Sequence, residues 1–304
     1  MKPVKSAAAR TVLALALCLA MGGAVRASEL LEKVESHYNS IFVFRNSTYV
    51  TLAFGHKSRR YVESQRNTAD LLELPVSYTK AMTAALAYVE KPDDMLMIGM
   101  GGGSITWYLH NHIPKASITA VELDPEMIRL AAKYYELKPA QNYNIVEADG
   151  RLFLVRDKKS YDLIFIDAYR GPFVPFHLLT HEYYELVKKR LKPGGIVAQN
   201  VEPSTMLFDS TYATLLQTFD TVDFIPGGGN VIAVAYDGPR RDTADLLLAA
   251  EKHEAAYKLR YKLAPMIERR KRHEKPGADI KPLTDDFAPV NILKAVKVHN
   301  RKWQ

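Results

Sequence analysis

The chain has 304 residues, of which 47% are hydrophobic and 25% charged; this is the balance of a globular protein with one sizeable core, and it excludes a fibrous or disordered chain. The formal charge is +7, but Lys2, Lys5, Arg10 and Arg26 all precede residue 28 and no acid does, so the rest carries 37 bases against 34 acids, too even a balance to argue for nucleic acid. The single cysteine, Cys18, lies in the same leading segment, so beyond it disulfides and thiolate metal sites are excluded.

In chain order, residues 1–27 hold a basic start, the apolar run TVLALALCLA and then Val25-Arg26-Ala27. That is the pattern of a cleavable signal peptide, and the run is short for a membrane span. It predicts export to the periplasm or beyond, with an uncleaved inner-membrane anchor as the alternative. Residues 28–73 read as a small β domain. Ile41, Val43, Tyr49, Thr51 and Ala53 alternate with polar neighbours, which predicts two or three short antiparallel strands over 38–63 with a turn at Gly55-His56. A helix is expected over 74–89, entered through Pro75. A regular alternation follows, with strands at 95–100, 117–123, 143–148, 162–168 and 195–200 and helices at 105–112, 125–135 and 181–191. The strands are nearly continuous apolar runs, as in a parallel sheet covered on both faces. Asp124 before Pro125 is a good helix start, an N-cap side chain followed by a residue that needs no amide hydrogen there. A helix over 205–219 leads to strands at 222–225 and 231–236, which the short turn at 226–230 forces to be antiparallel. The predicted class is therefore α/β: a Rossmann-like, seven-stranded, mostly parallel sheet over 74–240 that ends in an antiparallel hairpin. A helical extension over 241–304 is expected to contain one long helix, 242–273, broken at Pro265. Its run Glu268-Arg-Arg-Lys-Arg-His273 reads as a solvated face.

In such sheets ligands bind beyond the carboxyl ends of the strands. The first parallel strand runs into Gly99-Met100-Gly101-Gly102-Gly103, where glycines let the backbone turn tightly and approach a ligand. The G-x-G-x-x-G spacing is not met, which argues against a nicotinamide dinucleotide. Glu122 ends the second strand about twenty residues on, where a carboxylate can accept from both ribose hydroxyls. Asp149-Gly150 ends the third, where an acid can accept from an adenine amino group. Asp167 ends the fourth. Three acids on one rim repel one another unless donors or cations meet them, and an adenosine bearing a sulfonium supplies both.

The stretches ELDPEMI, ADGRLFL, YDLIFIDAY and VPFHLLTHEYYELVKKRLKPGGIVAQN resemble the spermidine synthase (polyamine aminopropyltransferase) family, and more closely its bacterial spermidine synthase-like branch. The resemblance covers about residues 36–236. It implies decarboxylated AdoMet or AdoMet as co-substrate and no metal. It also implies a ribose held by Glu122, an adenine held by Asp149 and Gly150, and a loop of Gly99, Gly101 and Gly103 beneath them. Asp167 matches the first acid of the motif after strand four. A homodimer is an expectation from the resemblance alone. The departures fall in the acceptor half. Gly102 stands where the family's glycine loop carries Asp, and Arg170 stands where the second acid of D-S-S-D is expected. Tyr78-Thr79-Lys80 replaces Tyr-His-Glu, and the early L-D-G-x-x-Q stretch matches residues 52–58 without its glutamine. Since Arg170 would repel a diamine, the acceptor is expected not to be putrescine. Tyr169 and His177 are candidates to replace the lost base. Two classes follow: a transferase moving an aminopropyl or methyl group to an unidentified acceptor, and a non-catalytic exported nucleoside-binding protein.

Overall fold

The computed structural model describes residues 28–56, 59–171 and 173–286, so the expected signal peptide lies outside the described residues. The N-terminal part is a four-stranded antiparallel sheet, β1 (Glu29–Glu35), β2 (Ser40–Asn46), β3 (Tyr49–His56) and β4 (Arg59–Asn67), in that order. Two or three strands were expected. The additional one, β1, reads ELLEKVE, and its charges hide the alternation. Gly55 is not a turn residue: it lies within β3, paired with Ser40 on one side and Arg60 on the other. One face of this sheet buries Ile41, Val43, Val50, Leu52 and Phe54.

The expected helix over 74–89 is α1 (Ser77–Thr83) followed by a 3-10 turn, Ala84–Tyr88. It starts two residues after Pro75, with Val76 extended and no side-chain cap. The larger sheet contains β5 (Asp94–Ile98), β6 (Ser117–Glu122), β7 (Tyr143–Glu147), β8 (Tyr161–Ile166), β9 (Leu191–Val201), β10 (Thr221–Pro226) and β11 (Val231–Tyr236). Its order is β10-β11-β9-β8-β5-β6-β7. β5 to β9 run parallel, while β11 pairs antiparallel with both β9 and β10. The helices of this part are α2 (Ser104–His112), α3 (Pro125–Tyr135), α4 (Gly150–Arg156), α5 (His181–Lys189) and α6 (Phe208–Thr218). α4 went unread because seven residues are too few to show a period, and α6 starts three residues later than expected.

Alternate strand residues enter opposite layers, as the pleat requires. Met95, Met97, Leu163 and Phe165 pack on one face with Tyr108 and Leu109 of α2, and Leu96, Ile98, Ile164 and Ile166 pack on the other with Tyr183, Tyr184 and Val187 of α5. The chain leaves β5 toward β6 and β7, then returns to place β8 on the other side of β5. That reversal leaves a crevice at the carboxyl ends of β5, β6 and β8.

α3 joins the two sheets. Its Met127, Leu130 and Tyr135 pack under the small sheet. Its N-cap, Asp124, accepts from the Glu126 amide at 3.0 Å and also from the Ser36 hydroxyl beyond β1. Replacing Asp124 by Ala removes a cap and a cross-sheet bond from a buried position; the expected cost is about 1–2 kcal/mol. A thermal melt should show a Tm lower by several degrees; an unchanged Tm would rule out the tie.

The C-terminal part differs from expectation. The long helix ends at Tyr257 as α7 (Thr243–Tyr257), because Lys258 adopts the left-handed conformation. Pro265 then opens a second helix, α8 (Ala264–Glu268), where its missing amide costs nothing. The basic run is not all a solvated face. The Arg270 side chain is 3% exposed and pairs at 2.9 Å with Asp223, which is fully buried. Arg240 pairs with the other Asp223 oxygen, and the hydroxyls of Tyr88 and Tyr236 donate to it as well. Lys271 exchanges both backbone hydrogen bonds with Phe224 of β10, and His273 packs edge-on against the Phe224 ring. No described helix is long and apolar enough to cross a membrane.

Candidate functional site

The crevice opens into a cavity of about 950 Å³ lined by Gly99, Gly101, Glu122, Asp149, Gly150, Asp167, Tyr169 and His177, but not by Gly103. Its floor is the loop after β5. Gly99 (φ 84°) cannot be replaced, since a Cβ there would meet the Ala168 and Asp167 backbone at 2.6 Å. Gly103 (φ 71°) closes the loop as the left-handed N-cap of α2 and packs on Leu137 rather than facing the cavity. Gly102, where the family pattern puts Asp, has no room for a side chain: a Cβ would lie 2.2 Å from the Tyr135 ring and 2.4 Å from the Ser64 hydroxyl. The loss of that acid is therefore built into the packing. A Gly102→Ala change should destabilise the protein by about 1–3 kcal/mol, as overpacking does. A melt of that variant indistinguishable from the parent protein would contradict the steric account.

Glu122 ends β6 facing the loop. One of its oxygens accepts from the Gly101 amide at 2.8 Å, the other from the Asp124 amide at 3.0 Å. Burial pushes its pKa up, and these amide bonds pull the other way. A carboxylate has about four lone-pair sites, so two remain for ribose hydroxyls. Asp149 precedes Gly150 at the end of β7. Its Oδ1 caps α4 through the Arg151 and Leu152 amides, and its Oδ2 meets His177 Nε2 at 2.9 Å. Burial raises its pKa, but the Leu152 amide and His177 outweigh it and leave the acid below its ordinary range. Gly150 holds a place that a Cβ would contest with the Ile98 side chain at 2.4 Å. His177, a candidate to replace the lost base, stands on the Asp149 side of the cavity as that acid's partner.

Asp167 follows β8. Asn200 donates to its Oδ1 at 2.8 Å and the Tyr78 hydroxyl to its Oδ2 at 3.0 Å. Asn230 in turn donates to Asn200 Oδ1 at 2.8 Å. Burial raises the Asp167 pKa to about 7, against the pull of these two donors, and the Glu122 charge adds to the rise. Tyr78, buried beside this acid, has its pKa pushed well up and remains a hydroxyl donor. Tyr169 donates to the Asn200 carbonyl at 3.1 Å, and burial and Asp167 raise its pKa too, so it is no ready base. Arg170 is exposed at the rim, its backbone bridged to Phe173.

Several cavity residues were not found in the sequence. Asn200 closes one of the stretches that carry the resemblance but was given no role, Asn230 lay in no motif, and Tyr78 entered only through a poor match. Most notably, Tyr61, Glu63 and Gln65 of β4 line the cavity. Their spacing of two, which places them on one face of a strand, was the available signal. A glutamine sought in vain at 52–58 is thus present one strand later. Among the described residues, no cluster of His, Cys, Asp and Glu is arranged to hold a metal.

A glycine-floored crevice at the carboxyl end of a seven-stranded sheet, with acids on adjoining strand ends, is the architecture of a Rossmann-like transferase. The spermine/spermidine synthase domain matches residues 76–224, and the chain belongs to that family. It is 26% identical over 277 residues to the polyamine aminopropyltransferase of Vibrio vulnificus (strain CMCP6), covering 88% of this chain and 92% of that one. In fold it is similar to a probable spermidine synthase from Corynebacterium glutamicum ATCC 13032, with a TM-score of 0.68 at 18% identity over 86% of this chain and 98% of the other. Human methyltransferase-like protein 13, solved in complex with SAH, matches with a TM-score of 0.56 at 25% identity, over 67% of this chain and 97% of the other.

Proposed function

We propose that this protein binds decarboxylated AdoMet or AdoMet and moves an aminopropyl or methyl group to an acceptor, and that it does so outside the cytoplasm after removal of residues 1–27. The observation that carries the reading is the convergence of Glu122, Asp149 and Asp167 on one cavity above a glycine loop that leaves no side chain in the way. In this reading Glu122 takes the ribose hydroxyls, Asp149 and Gly150 border the adenine, and Asp167 faces the reacting centre. The acceptor's lone pair attacks a carbon attached to the sulfonium, the carbon–sulfur electron pair stays on sulfur as a neutral thioether, and the acceptor loses a proton. Much of the rate in such a displacement can come from orientation alone. The likeness to a human protein solved with SAH supports a nucleoside of this kind.

Calorimetry with AdoMet, decarboxylated AdoMet and methylthioadenosine tests the binding half: heat with at least one is expected, and no heat and no thermal shift with any of them would overturn it. Incubation with polyamines and cell-envelope extract, followed by chromatography, tests the transfer. Methylthioadenosine as product identifies aminopropyl transfer and S-adenosylhomocysteine identifies methyl transfer. Binding without either product would favour the second reading, an exported nucleoside-binding protein, for which Arg170 in the place of an acid is the supporting feature.

A further inference from the structure

Glu63 lies on β4, in the small sheet, and its side chain faces the same cavity as Asp167 and Glu122. The two other acids are each met by two donors, as described above. Glu63 is met by none: among the described residues it accepts no hydrogen bond and forms no ion pair. A carboxylate set into a cavity wall beside two others is costly unless a cation joins them, because each charge opposes the next. Burial, then Asp167, then Glu122 push its pKa well above the carboxylate range. Among the described residues that line the cavity, Arg170 is the one arginine or lysine, and it stands exposed at the rim.

We infer that Glu63 is the counter-charge for an alkylammonium group bound in this cleft, taking from the small sheet the part that the sequence suggested was lost when Gly102 and Arg170 replaced acids. The inference rests on the proposed nucleoside site and adds the chemical class of what lies next to it. The ammonium can come from two sources: the aminopropyl arm of decarboxylated AdoMet, or a separate amine acceptor. Glu63 is a specificity-determining residue in either case, since only a cationic ligand gives its carboxylate an ion-pair partner, which a neutral ligand cannot.

The test compares the whole chain with Glu63→Gln and Glu63→Asp by calorimetry at one pH. Three probes are titrated: methylthioadenosine, which has no ammonium; decarboxylated AdoMet; and 1,4-diaminobutane, with 1,4-butanediol as its neutral match, on the free and the methylthioadenosine-loaded protein. Glu63→Gln should leave methylthioadenosine affinity within twofold. A loss of at least tenfold for decarboxylated AdoMet alone identifies the donor arm as the ammonium source; the same loss for the diamine identifies an acceptor. Parent-like affinity of Glu63→Gln for both amines overturns the inference, as does a parent protein that binds neither. Failure of methylthioadenosine to bind the parent protein instead sinks the nucleoside reading, and the diamine titrated into the free protein still decides Glu63. Should the Gln variant not fold, Glu63→Asp, which keeps the charge but withdraws it by one methylene, is expected to show a smaller loss for the same probe and no change for methylthioadenosine; parent-like binding of every probe by it would count against the inference.

Discussion

Replacing Glu122 by Gln is expected to weaken methylthioadenosine binding at least about 100-fold, measured by calorimetry on the otherwise intact chain. The carboxylate already accepts the Gly101 and Asp124 amides, one on each oxygen. A carboxamide keeps one acceptor and turns an NH₂ group toward whichever backbone donor faced the other oxygen. The loop that floors the cleft loses its anchor, and the ribose loses an acceptor at the same time. Hydrogen bonds to a charged group contribute roughly 1.5–3 kcal/mol each, so losing two corresponds to about 3–6 kcal/mol, or more than two decades in Kd. An affinity within threefold of the parent protein would show that the nucleoside does not sit on Glu122.

Asp167→Asn is expected to abolish transfer while making the unliganded protein more stable at pH 8. General-base catalysis typically contributes about 10²–10⁴-fold, which sets the scale of the activity loss. The stability change follows from the pKa. Asp167 titrates near 7 in the folded chain against an ordinary value of 3.8. Between those values the folded state holds a proton that the unfolded state has released, so stability falls as pH rises through that window and stays lower above it. Glu122 and Glu63 oppose its ionisation, while the Asn200 amide and the Tyr78 hydroxyl, which donate to it, support it. Three pH units would set a ceiling of about 4 kcal/mol, and solvent in the open cleft brings the expectation to about 1–2 kcal/mol. Melts of the two proteins should therefore coincide near pH 4 and separate toward pH 8, with the Asn variant higher. Parallel curves over that range would remove Asp167 from the buried rim.

The parallel part of the fold was legible because its strands are apolar runs and its helices start at recognisable caps. The ends of α3 are those the sequence predicts, since Asp124 and Pro125 fix one end and the left-handed Glu136 the other. Legibility failed where tertiary contacts decide. Nothing local distinguishes Arg270 from its basic neighbours; it is buried because Asp223, far along the chain, needs a partner. Lys258 ends α7 without the glycine that usually marks such a place. In the site, strand-end acids were visible because strand ends are. Glu63 was not, because the small sheet's approach to the cleft is a matter of packing by Tyr135, Met127 and Leu130, which no motif records.

The exchange of backbone hydrogen bonds between Lys271 and Phe224 has a consequence for the molecule's behaviour in a crowded compartment. β10 is the outermost member of the seven, and its free rim of amides and carbonyls would otherwise be a template for a strand from another chain. The basic strap from α8 onward occupies part of that rim, held by Arg270 on the Asp223 carboxylate and by His273 on the Phe224 ring. The segment that looked like surface charge thus covers part of a sheet edge, and a chain ending before residue 270 would bare that border and also lose the Asp285 partner of Arg151 beside the crevice.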